Sequence, residues 1–262
     1  MRKFLAFFKT SVFSALSYRG DIFLFVLVGI SQPLVILSLW LGVIYSGGSV
    51  PLSSVDLIVY YLLVILVSYF SSTWASQFIT SDIRLGKISP YLLKPVSYLF
   101  FQLGNNFGEK TIKGLYLLPL LVILAVVFKI PFSFPGIILT IIFIASLISA
   151  IFLAFFIDIC IGVAGFWFES TEALDDIYGM GSSLLSGKFI PLSVIPILYV
   201  GFFSLLPFRY LLSFPIEIIQ NRLNPVQIVA GLLIQNTWLI GFILLYKLLW
   251  SKGVRKYSAV GA

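Results

Sequence analysis

Charged residues are so sparse along this chain that the intervals between them outline its elements. Residues 22–55, 57–81, 114–128, 130–157, 189–208 and 223–246 contain no Asp, Glu, Lys or Arg. A helix needs about 20 apolar residues to cross a hydrocarbon core, and a charge near the centre of that core costs about 3 kcal/mol or more unless paired or hydrated. The pattern predicts spans over 22–44, 57–79, 110–128, 136–165, 174–190 and 226–248. The helix of the third begins before Lys110, and Lys113 and Lys129 snorkel to opposite interfaces.

Residues 1–21 follow another rule. Arg2, Lys3, Lys9 and Arg19 interrupt every apolar run, which excludes a signal peptide. At about 100° per residue, Phe4, Leu5, Phe8, Val12, Ala15 and Leu16 share one face and Lys3, Lys9, Thr10 and Ser17 the other. That is an interfacial helix lying on headgroups. Residues 177–225 hold five of the 12 prolines: Pro191, Pro196, Pro207, Pro215 and Pro225. Each removes an amide donor from a helix that would need it in lipid. We therefore expect the fifth span to reach the outer surface near Gly187–Pro191. Short apolar helices over 191–225 then dip into the outer leaflet and return, under protein cover.

Composition agrees. Of the 262 residues, 60% are hydrophobic, 17% aromatic and only 10% charged, where soluble domains average about 25% charged. The fold class is an all-α integral membrane protein, with one membrane domain over 1–262. A single cysteine, Cys160, forms no internal disulfide, and the absence of histidine argues against metal or histidine-dependent catalysis.

The 17 Lys and Arg exceed the 10 Asp and Glu, and in a membrane chain such an excess records orientation rather than nucleic-acid binding. With the N-terminus inside, the inner set is Arg2, Lys3, Lys9, Arg19, Arg84, Lys87, Lys94, Lys110, Lys113, Lys247, Lys252, Arg255 and Lys256. The outer set is Lys129, Lys188, Arg209 and Arg222. Both termini are therefore expected in the cytoplasm, with an even number of spans.

Residues 82–109 form the most informative inner loop. Ser89 suits an N-cap, Pro90 the first helical position, and Pro95 disfavours helix at Lys94. A helix of one or two turns results, presenting Tyr91, Leu92 and Leu93 among Arg84, Lys87 and Lys94. Two readings stand: a knob for a groove on a soluble partner, favoured by the capped geometry, or a basic loop on anionic lipid. Ser186, Gly187, Phe189 and Pro191 mark a helix stop and an apolar return, with Gly187 left-handed.

Glu169, Glu172, Asp175 and Asp176 invite acid/base chemistry, but without histidine or a spaced nucleophile a solvated helix start is the plainer reading. They are expected to contact the cytoplasmic face, where Arg84 or Lys94 would pair with them. Asp158 lies in the fourth hydrophobic segment, either near the inner headgroups or at membrane depth in an ion pathway. Gly104 to Thr111 looks like a phosphate loop, but three residues separate Gly104 from Gly108 and Glu109 precedes Lys110. The chain itself is expected to bind no nucleotide. Gln235 and Asn236 read as interhelical glue or as ligand contacts.

The segments Ile83-Arg84-x-Gly86-Lys87-Ile88, Tyr91-Leu92-Leu93-Lys94-Pro95-Val96 and Leu185-Ser186-Gly187-x-Phe189-Ile190-Pro191-Leu192, in this order among the spans, resemble the ABC type-2 (ABC-2) exporter permeases. The likeness is to their six-span bacterial subgroup. The resemblance implies a permease without enzymatic activity of its own, in the bacterial inner membrane. It implies a second permease, identical or a paralogue, and a separate ABC ATPase dimer holding ATP and Mg. It implies that Ser89–Lys94 is the coupling helix, that Ser186–Pro191 opens re-entrant outer helices, and that cargo, hydrophobic or amphipathic, moves outward. An ion-coupled transporter or channel using Asp158 is the alternative, and it would act without any ATPase.

Overall fold

The computed structural model describes residues 2–93, 97–130, 135–195 and 197–257, with side chains omitted at 2–3 and 197–200. Every regular element among them is helical: α1 (Arg2–Ser17), α2 (Arg19–Tyr45), α3 (Ser54–Ser71), α4 (Ala75–Arg84), α5 (Ser89–Leu93), α6 (Tyr98–Val127) and α7 (Ile137–Val163). A 3-10 turn at Ala164–Phe166 follows, then α8 (Glu172–Leu185), a turn at Leu192–Val194, α9 (Ile197–Leu205), α10 (Pro207–Leu211), α11 (Ser213–Ile219) and α12 (Pro225–Lys256). Lys94, Pro95 and Pro196, assigned roles above, lie outside the described residues.

Five segments are long and apolar enough to cross a bilayer: Arg19–Tyr45, Ser54–Arg84, Tyr98–Val127, Ile137–Phe166 and Pro225–Lys256. They account for five of the expected spans. The segment expected over 174–190 is α8, only 14 residues, which is about 21 Å of helix against a core of about 30 Å. Gly187 ends it early by taking φ +91. The third span does begin earlier than its apolar run, at Tyr98, and its 30 residues reach about 45 Å.

Local chemistry sets the helix starts. Ser53 and Asp56 form a reciprocal capping box on α3, and Asn224 and Gln227 another on α12, where Pro225 occupies the first turn. Each such cap stabilises its helix by about 1 kcal/mol. Both helices therefore start upstream of the purely apolar run.

The second span is not continuous. Helix α3 stops at Ser71, Ser72 is extended (φ −67, ψ 144), and α4 restarts at Ala75. No Gly or Pro announces this break. Ser72 instead donates its hydroxyl to the Tyr69 carbonyl, and hydroxyl side chains of this kind compete with the helix ladder.

Helix α1 packs along the first half of α6 rather than lying free. A Cβ at Gly104 would sit 2.7 Å from the Phe7 Cβ, and one at Gly108 2.6 Å from the Ser11 Cβ. The stretch that superficially resembles a phosphate loop is thus a helix-contact stripe, where small residues let two backbones approach. Ser11 Oγ donates to the Asn105 carbonyl across it at 3.0 Å.

Of three buried cores, one joins α2, α3 and α6 through Val26, Ile30, Leu62, Ile65 and Leu117, and the other two divide the bundle lengthwise. Of these two, one joins α4, α5, α6, α7 and α12 through Ile79, Ile83, Ile88, Tyr98, Phe155, Ile159 and Tyr246. The other, at the opposite end, joins α3, α7, α10 and α11 through Tyr61, Val64, Leu153, Tyr210, Phe214 and Ile216. Helix α7 runs through both, and the break at Ser72–Trp74 falls between them.

Candidate functional site

The turn between α4 and α5 is built by its own backbone. Gly86 takes φ +73, and the amides of Gly86 and Ile88 return to the carbonyls of Ile83 and Asp82, closing α4 with a left-handed cap. Ile88 is fully buried and anchors the start of α5. Ser89 begins α5 but does not cap it: its hydroxyl meets the Tyr257 hydroxyl at 2.9 Å, tying α5 to the end of α12.

The faces of α5 separate cleanly. Tyr91 turns inward, its ring 5.2 Å from Tyr98 and 5.0 Å from Phe101. Burial, and then the Asp82 carboxylate, push its hydroxyl above the usual tyrosine range, so it stays protonated. Leu93 is 87% exposed and Leu85 56%, with Pro90, Leu92, Arg84 and Lys87 also exposed. The exposed surface of α5 and the turn before it is therefore Leu85, Pro90, Leu92 and Leu93 beside Arg84 and Lys87. Tyr91, expected to share it, braces it from behind.

That brace reaches every helix at this end. Phe101 stacks edge-on with Phe7 of α1 at 5.3 Å, and Tyr98 lies against Trp250 of α12 at 5.7 Å. Tyr98 donates to the Asp82 carboxylate at 2.8 Å and accepts from the Gln102 amide at 2.7 Å.

Asp158 sits on α7, 3% exposed, and faces the break. Its Oδ2 accepts the Thr73 hydroxyl at 2.8 Å and the Ser76 amide at 3.1 Å. A carboxylate on α7 thus caps the start of α4, where the helix dipole favours negative charge. Its carboxylate is enclosed by these donors rather than exposed. Asn106 of α6 completes the link by donating to Thr73 at 3.2 Å.

Beside the break, a chamber of about 240 Å³ is lined by Ser71, Thr73, Tyr178, Ser182, Ser183 and Lys188. Ser71 donates its hydroxyl to the Val67 carbonyl of its own helix, leaving its lone pairs as acceptors.

The stretch Ser186–Pro191 is strapped to the core. The Gly187 carbonyl accepts from Tyr60 at 2.8 Å, and the Phe189 carbonyl accepts from Tyr61 at 2.8 Å and from the Trp40 indole at 3.2 Å. Ser213 donates to the Ser186 carbonyl, while Ser186 and Pro191 are both buried. A Cβ at Gly187 would sit 2.7 Å from the Tyr60 hydroxyl, so only glycine suits this strap. Tyr60, Tyr61, Trp40 and Ser213 escaped the sequence reading, for nothing local separates a tyrosine that binds a distant carbonyl from one that packs.

Other assignments shift. Lys110 and Lys113, counted as inner cations, are 6% and 5% exposed inside α6. Lys113 pairs with Glu109 and lies 4.1 Å over the Phe25 ring. Glu169, Glu172 and Asp176 are exposed and Asp175 half-buried. None of the four joins an ion pair among the described residues, Arg84 included, where the pairs are Glu109–Lys113, Arg209–Glu217 and Arg222–Asp56. Gln235, fully buried, donates to the carbonyls of Ser146 and Tyr210 and accepts from Ser146 Oγ. It is glue, and the exposed Asn236 adds a second link to α7 by accepting from Ser149 Oγ at 3.3 Å while donating to Leu232 of its own helix.

An exposed, braced short helix thus stands at one end of a bundle of long apolar helices. In comparison with known sequences, the profile of the family described as ABC-2 family transporter protein matches residues 22–261. No curated protein and no solved structure matches the chain. The matched region takes in α2 from residue 22 onward and every later helix, α5 and the strap included, and the chain belongs to the ABC-2 transporter family.

Proposed function

We propose that this chain is the permease subunit of an ATP-driven exporter in the bacterial inner membrane, with both termini cytoplasmic. It pairs with a second permease, identical or a paralogue, and rests on a separate ABC ATPase dimer. Nucleotide and Mg belong to that partner, and this chain catalyses nothing itself. The observation that carries this reading is α5, whose outer face is Leu92 and Leu93 beside Arg84 and Lys87. Apolar side chains ringed by cations suit a groove with an acidic rim.

A push on α5 has defined routes inward. Tyr91 passes it to α6, Phe101 to α1, and the Ser89–Tyr257 bond to α12. Helix α4 moves with α5 through the buried Ile83 and Ile88, and the break at Ser72–Trp74 lets α4 turn against α3. Binding or release of nucleotide can only shift this equilibrium through contacts that differ between the two states. The knob is where those contacts are made.

We count α8 with its strap as the fifth of six crossings. Thr171, just before α8, meets Thr80 of α4 at 2.8 Å, whereas Gly187, after it, meets Tyr60 of α3. The chain therefore travels from the α5 end toward the other end over this stretch, although only 14 residues are helical. Helices α9 to α11 are then re-entrant. On α8, Ile177, Met180 and Leu184 form an exposed apolar stripe, which supports the second permease seating there. The hydroxyl-lined chamber beside that stripe supports an amphipathic cargo moving along the seam.

The test is to purify the tagged chain from its native membrane and identify what accompanies it. An ATPase that accompanies the parent chain but not Leu93→Asp supports the reading. Transport that proceeds without any ATPase and dissipates a proton gradient would overturn it in favour of the ion-coupled alternative.

A further inference from the structure

At the end of the bundle away from α5, the turn at Leu192–Val194, α10, α11 and the start of α12 enclose a cavity of about 310 Å³. Two guanidiniums line it, Arg209 and Arg222, together with Ser193, Glu217 and Gln227. The Arg209 side chain is 15% exposed, and it pairs with Glu217 through Nη2 at 2.6 Å. Its Nε is buried and has no partner among the described residues. Arg222 is held loosely, with Nη1 3.5 Å from Ser193 Oγ and Nη2 3.5 Å from Asp56 Oδ1.

An arginine carries five N–H donors in a rigid fork, and buried donors are normally satisfied. Here two forks line one cavity, with the buried Arg209 Nε unpartnered among the described residues and Arg222 held only by two 3.5 Å contacts. The missing partner is an oxyanion with several acceptors, for which planar guanidiniums are suited. Its charge is bounded as well. Glu217 offsets Arg209 closely, whereas Asp56, 51% exposed and 3.5 Å away, offsets Arg222 only in part, which leaves a partial positive charge that matches a monoanion better than a dianion. Its walls include Leu192, Phe203 and Leu223, which suit hydrocarbon rather than water.

We propose that this cavity holds the phosphodiester head of a membrane phospholipid, clamped between Arg209 and Arg222, with its glycerol and acyl portion along the apolar wall. The lipid ties the Leu192–Val194 turn to the start of α12. The site is remote from α5 and does not rest on the ATPase assignment.

The full chain, purified in non-ionic detergent and washed free of lipid, is titrated with phosphatidylglycerol, with diacylglycerol and with inorganic phosphate. Thermal unfolding and native mass spectrometry give the readouts. Phosphatidylglycerol is expected to raise the unfolding temperature by about 3 °C or more, with neither diacylglycerol nor millimolar phosphate matching it. Arg222→Gln should weaken retention about tenfold, and Arg222→Lys less, since it keeps the charge but not the fork. Ser193→Trp fills the cavity without removing either guanidinium and should abolish retention, which guards against misfolding of the arginine variants. An equal shift with diacylglycerol would show a tail site, and a shift with phosphate alone a free-anion site. Either result, or unchanged retention in Arg222→Gln and Ser193→Trp, overturns the proposal.

Discussion

Asp158 and Ser76 lie on different helices, yet the Asp158 carboxylate accepts the Ser76 amide at 3.1 Å and so caps α4 from outside its own chain segment. The same oxygen, Oδ2, takes the Thr73 hydroxyl. One oxygen serving two donors means that the amide oxygen of asparagine can replace it. Asp158→Asn is therefore expected to keep near-parental transport, whereas Asp158→Ala strands a buried amide and hydroxyl at a cost of about 1–3 kcal/mol. Transport by both variants in proteoliposomes decides it, and abolished activity in Asp158→Asn would revive the ion-coupled reading.

The two faces of α5 should separate docking from stability. Leu93→Asp, on a side chain 87% exposed, is expected to abolish ATPase binding while leaving unfolding within about 0.5 kcal/mol of parent. Tyr91→Ala removes a ring packed on Tyr98 and Phe101 and should cost about 1–3 kcal/mol. Pull-down of the partner and thermal melting, run on both variants, test the division. Parental ATPase binding by Leu93→Asp would remove α5 as the docking element.

Contact between α1 and α6 depends on the absence of side chains at two places. Gly108→Leu drives a branched chain into Ser11 and Phe8, and we expect α1 to detach while the long helices persist. Hydrogen exchange over residues 4–17 should rise strongly, and over α7 hardly at all. Unchanged protection of α1 would show that its apolar face alone holds it.

At the strap, Tyr60→Phe leaves the Gly187 carbonyl without its donor and should cost about 1–2 kcal/mol. Gly187→Ala adds a left-handed backbone penalty to a steric clash, and is expected to be the more damaging of the two. Thermal melting in the same detergent ranks them, and the reverse order would mean that the strap is held by its other donors.

The turn at Gly86 and the short helix α5 were legible because their determinants are local. Gly86, Pro90 and a short apolar run between cations define a turn, a helix start and a surface within ten residues. Which side of α5 faces out was not legible, since at five residues no periodicity can be read. The break in the second span was hidden for a different reason. Ser71, Ser72 and Thr73 are tolerated inside many helices, and only a carboxylate brought by α7, 82 positions away from Ser76, makes the interruption stable.

By itself, the sequence determined the all-helical class, the long apolar segments, the amphipathic first helix and the polar loop that carries α5, because each follows from the cost of placing charge or unpaired backbone in lipid. Tertiary structure alone decided which polar groups meet. It turned Asp158 into a helix cap, Gly104 and Gly108 into a contact stripe, and Tyr60, Tyr61 and Trp40 into a clasp on the strap. It also left Arg209 and Arg222 facing one cavity. Burial demands that such groups find partners, but the partner is chosen by packing between helices, and spacing along the chain carries no record of that choice.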